Sequence, residues 1–190
     1  MSKPRLLGIS GSLRKASTNT ALLKALAEAV ADRAVLEIFP LNDIPLYDQD
    51  IDVEPPLLAV AAFREAIAKA DGVVISSPEY NYGMSGVLKN ALDWASRPYG
   101  KSRLTGKPVL TITASAASTG GVRAQTQLNE TLTAIAALVV LRPQSVIGSV
   151  FQKMTDGKFT DETSLKFLSV AIDDLLRDIA KTQSVTRQEI

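Results

Sequence analysis

Three short stretches of the chain hold the side chains best suited to grip a small ligand: Ser10 to Thr20, Pro78 to Met84 and Ser115 to Gly121. The first reads Ser-Gly-Ser-Leu-Arg-Lys-Ala-Ser-Thr-Asn-Thr and runs straight into a helical pattern. A phosphate needs hydroxyl and amide donors and positive charge without a competing carboxylate. This stretch offers Arg14, a cluster of hydroxyls and the positive end of a helix, in a chain with no acid before Glu28. The alternative is an ordinary strand-to-helix turn with a Ser, Thr or Asn cap. The second stretch sets Tyr80 and Tyr82 around Asn81. Its backbone donors suit the edge of a flat heterocycle and its rings the face; alternatively, the tyrosines close the core or meet a second subunit. The third stretch is built of small residues ending in Gly120-Gly121, which let a planar ligand lie against backbone or make a plain turn.

What is missing narrows the chemistry. Among 190 residues there is no histidine and no cysteine. That excludes an imidazole base, a Ser-His-Asp triad, a thiol nucleophile, a disulfide framework and the ordinary transition-metal sites. No residue is assigned as catalytic or as a metal ligand; any chemistry must come from carboxylates, hydroxyls, amides, Lys or Arg, or be borrowed from a cofactor. Known phosphate loops do not match: Gly106-Lys107 is followed by Pro108, so it is no Walker loop, and Gly8 and Gly11 do not make the dinucleotide fingerprint. Hydroxyls where glycines would stand favour a terminal phosphate monoester, hence a mononucleotide. Asp48 to Glu54 alternates like a calcium loop, but Val53 and Ala59 occupy the positions that need Gly and Glu. Ser85 has no base to activate it, which excludes a serine hydrolase. A net charge of +1 argues against a nucleic-acid or membrane-surface binder, no apolar run reaches the ~20 residues that span a bilayer, and the apolar stretch at the start is shorter than a signal peptide is expected to have. The expectation is a cytoplasmic protein.

Apolar runs alternate with helical patterns, as in a parallel sheet covered on both faces. Strands are expected at Arg5 to Ser10, Val35 to Pro40, Gly72 to Ser77 and Val109 to Thr113, with a fifth, interrupted by proline, from Val139 to Leu141 and Ser145 to Ile147. Helices are expected from Asn19, from Pro55 and Pro56, over Ser85 to Ser96, over Gly121 to Leu138, and from Asp161. Asp156-Gly157 reads as a hairpin turn between Val150-Phe151 and Lys158-Phe159. The chain reads as one α/β domain over residues 1–182 with a polar tail over 183–190. In such a sheet, ligands bind outside the carboxyl ends of the strands, where the three stretches fall.

Gly-Ser-Leu-Arg-Lys-x-Ser-x-Asn at Gly11 to Asn19, Ser-Pro-Glu-Tyr-Asn-Tyr at Ser77 to Tyr82, Leu-Lys-Asn-Ala-Leu-Asp-Trp at Leu88 to Trp94 and Gly-Gly-Val-Arg-Ala-Gln at Gly120 to Gln125 together resemble the NADPH-dependent FMN reductase family, which includes bacterial quinone and chromate reductases. The resemblance implies a flavodoxin-like fold with a five-stranded sheet of order 2-1-3-4-5, bound FMN, NADPH or NADH as reductant, and a homodimer or homotetramer. It implies that FMN contacts Ser10, Ser12, Leu13, Arg14, Ser17, Asn19 and Thr20, then Pro78, Glu79, Tyr80, Asn81, Tyr82 and Gly83, then Ser115. Within these, Ser12, Arg14, Ser17 and Asn19 would hold the phosphate, Glu79 to Tyr82 the isoalloxazine, and Ser115 a further flavin or ribityl contact. The helix bearing Trp94, and Arg123, look like subunit-contact elements. Two departures stand out: Ala116-Ala117 replaces the Pro-Gly often seen after Ser115, and Thr126 and Gln127 replace the aromatic and His that often follow Arg-Ala-Gln.

The implied activity is an NAD(P)H oxidoreductase that reduces a small-molecule acceptor, a flavin, a quinone, an azo compound or chromate, by hydride transfer through flavin N5. The rival is a flavodoxin-type electron carrier without nicotinamide turnover; such carriers usually present an acidic surface, which a net charge of +1 does not provide.

Overall fold

The computed structural model describes residues 2–188. In chain order its elements are β1 (Arg5–Ser10), α1 (Thr18–Ala29), β2 (Val35–Phe39), α2 (Leu58–Lys69), β3 (Gly72–Ser77), β4 (Glu79–Tyr80), β5 (Gly83–Met84), α3 (Gly86–Ala95), β6 (Pro108–Ala114), α4 (Val122–Ala134), β7 (Leu138–Val139), β8 (Val146–Ile147), β9 (Met154–Thr155), β10 (Lys158–Phe159) and α5 (Glu162–Gln188). The main sheet is parallel, in the order β2-β1-β3-β6-β7, with β8 also pairing with β6. That is the expected five-position order: β7 and β8 are the two halves of the proline-interrupted last strand.

Alternation along the strands sorts the core into two layers. Leu6, Val74, Leu110 and Ile112 face α1 and α5, where Leu22, Leu23, Leu26, Leu168, Ile172 and Leu175 meet them. Leu7, Ile9, Val73, Ile75 and Val109 face the other way, against Phe63, Ile67, Leu88, Leu92, Leu128 and Leu132 of α2, α3 and α4. Every residue of β3 and β6 is buried, which is why these strands read as unbroken apolar or hydroxyl runs instead of alternating ones. All carboxyl ends of the parallel strands therefore open on one rim. No helix among the described residues is long and apolar enough to cross a membrane.

Several boundaries differ from the sequence reading. Helix α2 starts at Leu58, because its capping residue Leu57 is extended at a ψ of 139° and both prolines therefore lie before the helix. Helix α4 ends at Ala134 instead of Leu138, since Ala136 takes a φ of 61° and turns the chain into β7 without a glycine to announce it. The small hairpin does turn at Asp156-Gly157, but Lys158-Phe159 pairs with Met154-Thr155, while Val150-Phe151 lies in a 3-10 turn. Helix α5 runs through to Gln188, past residue 182, because no glycine or proline interrupts the chain beyond Asp161. Of the tail expected over 183–190, residues 189–190 lie outside the described residues.

Asp161 caps α5. Its Oδ1 accepts the Ser164 amide at 2.9 Å and the Lys153 ammonium at 2.8 Å, and these bonds hold its carboxyl down at about 2. A carboxyl so lowered contributes its stabilisation above the ordinary value of 3.8 and loses it as pH falls through about 2. Asp161→Ala is expected to cost about 1 to 2 kcal/mol at neutral pH, measured by urea unfolding. Its stability curve should also be flatter than the parent's between about pH 4 and 2.

Candidate functional site

The first of the three ligand-gripping loops is built to free amide donors. Ser17 caps α1 by accepting the Thr20 amide at 3.1 Å, which leaves the Thr18 and Asn19 amides, the first two of the helix, without intrahelical partners. The Arg14 side chain is exposed, and its guanidinium makes no hydrogen bond or ion pair among the described residues.

Other polar groups of this loop are occupied by the protein itself. Thr20 Oγ1 donates to Ser10 Oγ at 2.8 Å, fastening α1 to the end of β1. The buried Asn19 side chain accepts the Ser76 hydroxyl at 2.8 Å and donates to the Ala114 carbonyl at 3.2 Å, joining α1 to the ends of β3 and β6. What Asn19 offers a ligand is its main-chain amide.

The second loop contains regular structure. Glu79-Tyr80 and Gly83-Met84 pair as a two-stranded antiparallel hairpin, with Asn81 and Tyr82 at φ of 49° and 67° in its turn. Positive φ at both central residues is the mirror-image turn that matches strand twist, and it is usually signalled by Asn-Gly. The Glu79 carboxylate is bonded to the amino end of α4. It accepts the Arg123 amide at 3.1 Å, the Ala124 amide at 3.2 Å and the Arg123 Nε at 2.8 Å. It thereby caps α4, whose own capping position is Gly121, at φ 89°, with no side chain to do so. A Cβ there would stand 3.0 Å from that of Thr113, so the position must be glycine and the cap must come from elsewhere. Burial alone would raise the Glu79 carboxyl, but the bonds from Arg123 and Ala124 and the Arg123 charge outweigh it and hold it below the usual carboxylate range. The acid nearest the rim is thus neutralised by its own ion pair.

In the third loop the Ser115 amide donates to the Ile147 carbonyl at 3.0 Å, and the Val150 amide donates to the Ser115 carbonyl at 3.0 Å. This brings up a segment that sequence reasoning missed, Val150-Phe151, with Phe151 58% exposed beside the loop. Its only sequence signal was an apolar pair, which a hairpin strand explained equally well.

These pieces enclose a cavity of about 150 Å³ lined by Ser12, Arg14, Ser17, Thr18, Asn19, Pro78, Glu79, Tyr80, Ala114, Ser115, Ala116, Val150 and Phe151. Of the expected contacts, Ser10, Leu13, Thr20, Asn81, Tyr82 and Gly83 do not line it. Ser10 and Thr20 bond to each other, Leu13 is exposed, and the last three lie along the neighbouring hairpin. Larger clefts exist: those of about 680 Å³ beside α2 and about 660 Å³ between α3 and α4 contain none of the three loops, and one of about 380 Å³ takes in Lys15, Ala16, Ser17 and Thr20 of the first loop but no residue of the other two. The small cavity fits the anionic end of FMN: free helix amides, Ser12 and Arg14 face it, and its one carboxylate is already paired. Tyr80 in its wall and Tyr82 beyond it are both exposed.

A doubly wound parallel sheet with a small polar cavity and exposed aromatics at its carboxyl rim defines a flavodoxin-like α/β protein. More narrowly, the chain belongs to the NADPH-dependent FMN reductase family, whose model matches residues 4–152. It is similar to the NAD(P)H-dependent FMN reductase of Pseudomonas aeruginosa, at 38% identity over 90% of this chain and 92% of the relative. It is also similar to a quinone reductase of Escherichia coli K12, at 41% identity over 88% and 90%. Among solved structures, the flavoenzyme NAD(P)H:(acceptor) oxidoreductase FerB of Paracoccus denitrificans superimposes with a TM-score of 0.83 at 31% identity, covering 94% of this chain and 98% of that one. The chain is accordingly an FMN-dependent oxidoreductase with a reduced nicotinamide as electron donor.

Asn19→Ala strips the Ser76 hydroxyl and the Ala114 carbonyl of buried partners. It is expected to destabilise the fold by about 2 kcal/mol, read from the urea midpoint.

Proposed function

We propose that the chain is an NAD(P)H:quinone and flavin reductase whose FMN sits across the carboxyl rim. Its phosphate lies in the cradle of Ser12, Arg14, Ser17 and the Thr18 and Asn19 amides, and its ring beside Tyr80 to Gly83. The observation that carries this reading is the unpaired Arg14 guanidinium at the mouth of a cavity that also receives the amino end of α1. When bound, FMN supplies the redox chemistry, taking a hydride from NADH or NADPH and passing electrons to the acceptor.

The polypeptide's part is to bind and orient. Arg14 supplies a charge-assisted bond to the phosphate, and the amides of α1 add theirs along the helix dipole. Ser10 and Thr20 stiffen the cradle from behind, and Leu13 flanks its mouth. Tyr80 and Tyr82 give the ring an apolar wall, Asn81 supplies polar edge contacts, and Ser115 closes the ribityl side. With no imidazole or thiol in the chain, proton transfer to the reduced acceptor is left to water. The acceptors are small oxidants able to reach an open rim: quinones and free flavins, with azo dyes and chromate in the same class.

The same reading places the protein in the cytoplasm, where reduced nicotinamide is supplied, and makes it a homodimer or homotetramer through the α3 and α4 face. The cleft of about 660 Å³ there is edged by the exposed ring of Tyr99. Trp94 itself is not a contact, being buried with its Nε1 on the Pro45 carbonyl.

Arg14→Ala tests the cradle. Loss of one charge-assisted bond should weaken FMN binding by about 10- to 100-fold, read by flavin fluorescence titration. An unchanged affinity overturns the phosphate assignment. Steady oxidation of NADH or NADPH with a soluble quinone is expected of the flavin-loaded protein, and its absence would make the chain an electron carrier instead.

A further inference from the structure

The hairpin that carries the two rim tyrosines is held from outside by one face of α4. Arg123 and Gln127 are four residues apart, so they project from the same side of the helix, and each takes one strand. Arg123 Nε and Nη2 both donate to Glu79 Oε1, at 2.8 and 2.5 Å, and its guanidinium lies 4.0 Å from the centre of the Tyr82 ring. Gln127 Oε1 accepts the amide of Met84, the residue opposite Glu79 in the ladder, at 2.8 Å. The approach is close: a Cβ on Gly83 would stand 2.6 Å from Gln127 Oε1. Between the two grips, Asn81 and Tyr82 hold left-handed backbone with no glycine to make it easy, so the turn depends on its surroundings to stay in shape.

We infer that Arg123 and Gln127 are positioning residues for the flavin ring, clamping the 79–84 hairpin against α4 so that its main-chain amides and tyrosine faces are fixed where the ring lies. The inference rests on the ring placement proposed above, and it assigns a role to two side chains that do not line the phosphate cradle. Both are exposed and neither belongs to the apolar core, yet together they grip both strands of the hairpin. The Glu79 side chain becomes the handle that α4 pulls on, and only its backbone is left to face a ligand. Gln127 carries no charge at any ordinary pH, so its half of the clamp does not titrate.

Riboflavin separates this clamp from the phosphate cradle because it presents the same ring without the phosphate. The full chain is titrated with FMN and with riboflavin, and the midpoint potential of the bound flavin is measured. Arg123→Ala and Gln127→Leu are expected to weaken both flavins by the same factor, about tenfold. They should also make the potential more negative, as less well-ordered donors stabilise the reduced ring less. Gln127→Glu keeps an acceptor oxygen for the Met84 amide and should restore the parent's riboflavin affinity, though not its potential, because it adds a negative charge. Hydrogen exchange at Met84 should quicken in Gln127→Leu alone of those two. Arg14→Ala should weaken FMN and leave riboflavin unchanged. If Arg123→Ala does not fold, the exposed Gln127→Leu substitution decides the matter by itself. Variants that match the parent in riboflavin affinity and potential overturn the clamp while leaving the proposed function standing. A parent chain that binds neither flavin overturns both.

Discussion

The amide of Asn19 ties the rim together. A parallel sheet gathers its strand ends on one edge, but nothing in the strands themselves fixes how far apart the departing loops stand. Asn19 does so: from the first turn of α1 it bonds to Ser76 at the end of β3 and to Ala114 at the end of β6. One buried side chain thus sets the distance between the helix that presents phosphate donors, the strand that feeds the tyrosine hairpin and the strand that feeds the small-residue loop. Buried hydrogen bonds of this kind contribute modestly to net stability and cost much when half-made, which makes the arrangement all-or-none and keeps the cradle in register.

Around that joint, charge is distributed by subtraction. The rim needs positive potential for an anion, and the chain reaches it by removing competitors more than by adding cations. The stretch before Glu28 holds no acid, and Glu79, the one carboxylate at the cavity, is consumed by Arg123 and the head of α4. Arg14 then lines the cavity with its charge uncompensated among the described residues. The same pairing explains why Glu79 sits beside a proposed anionic ligand without repelling it.

Most of the architecture was legible because it follows from burial. Fully enclosed strands have continuous apolar composition, amphipathic helices have a stripe, and the three loops at the rim follow from strand order. The parts that were not legible depend on backbone geometry and tertiary partners. The turn at Asn81-Tyr82 lacks the glycine that would mark it, and so does the end of α4 at Ala136, because in both places tertiary contacts hold a conformation that local propensity does not favour. Asn19 has the residue type expected of a ligand-binding helix start, yet its side chain serves the scaffold; sequence cannot tell an amide bonded to a neighbouring strand from one aimed at a ligand. Phe151 reached the cavity only because the loop after Ala114 is pinned to the segment after Ile147, a long-range pairing invisible in a local pattern.

The last strand of the sheet is broken into Leu138-Val139 and Val146-Ile147, with Pro143 in the gap between them. An intact strand there would expose a full row of unsatisfied amides and carbonyls, an open template onto which another chain could zip. Two-residue halves separated by a residue with no amide hydrogen offer no such run. On the opposite border, β2 carries an exposed Glu37 in ion contact with Arg5. Both margins of the sheet are thereby poor nucleation sites for aggregation, a useful trait in a protein whose central strands are so completely buried.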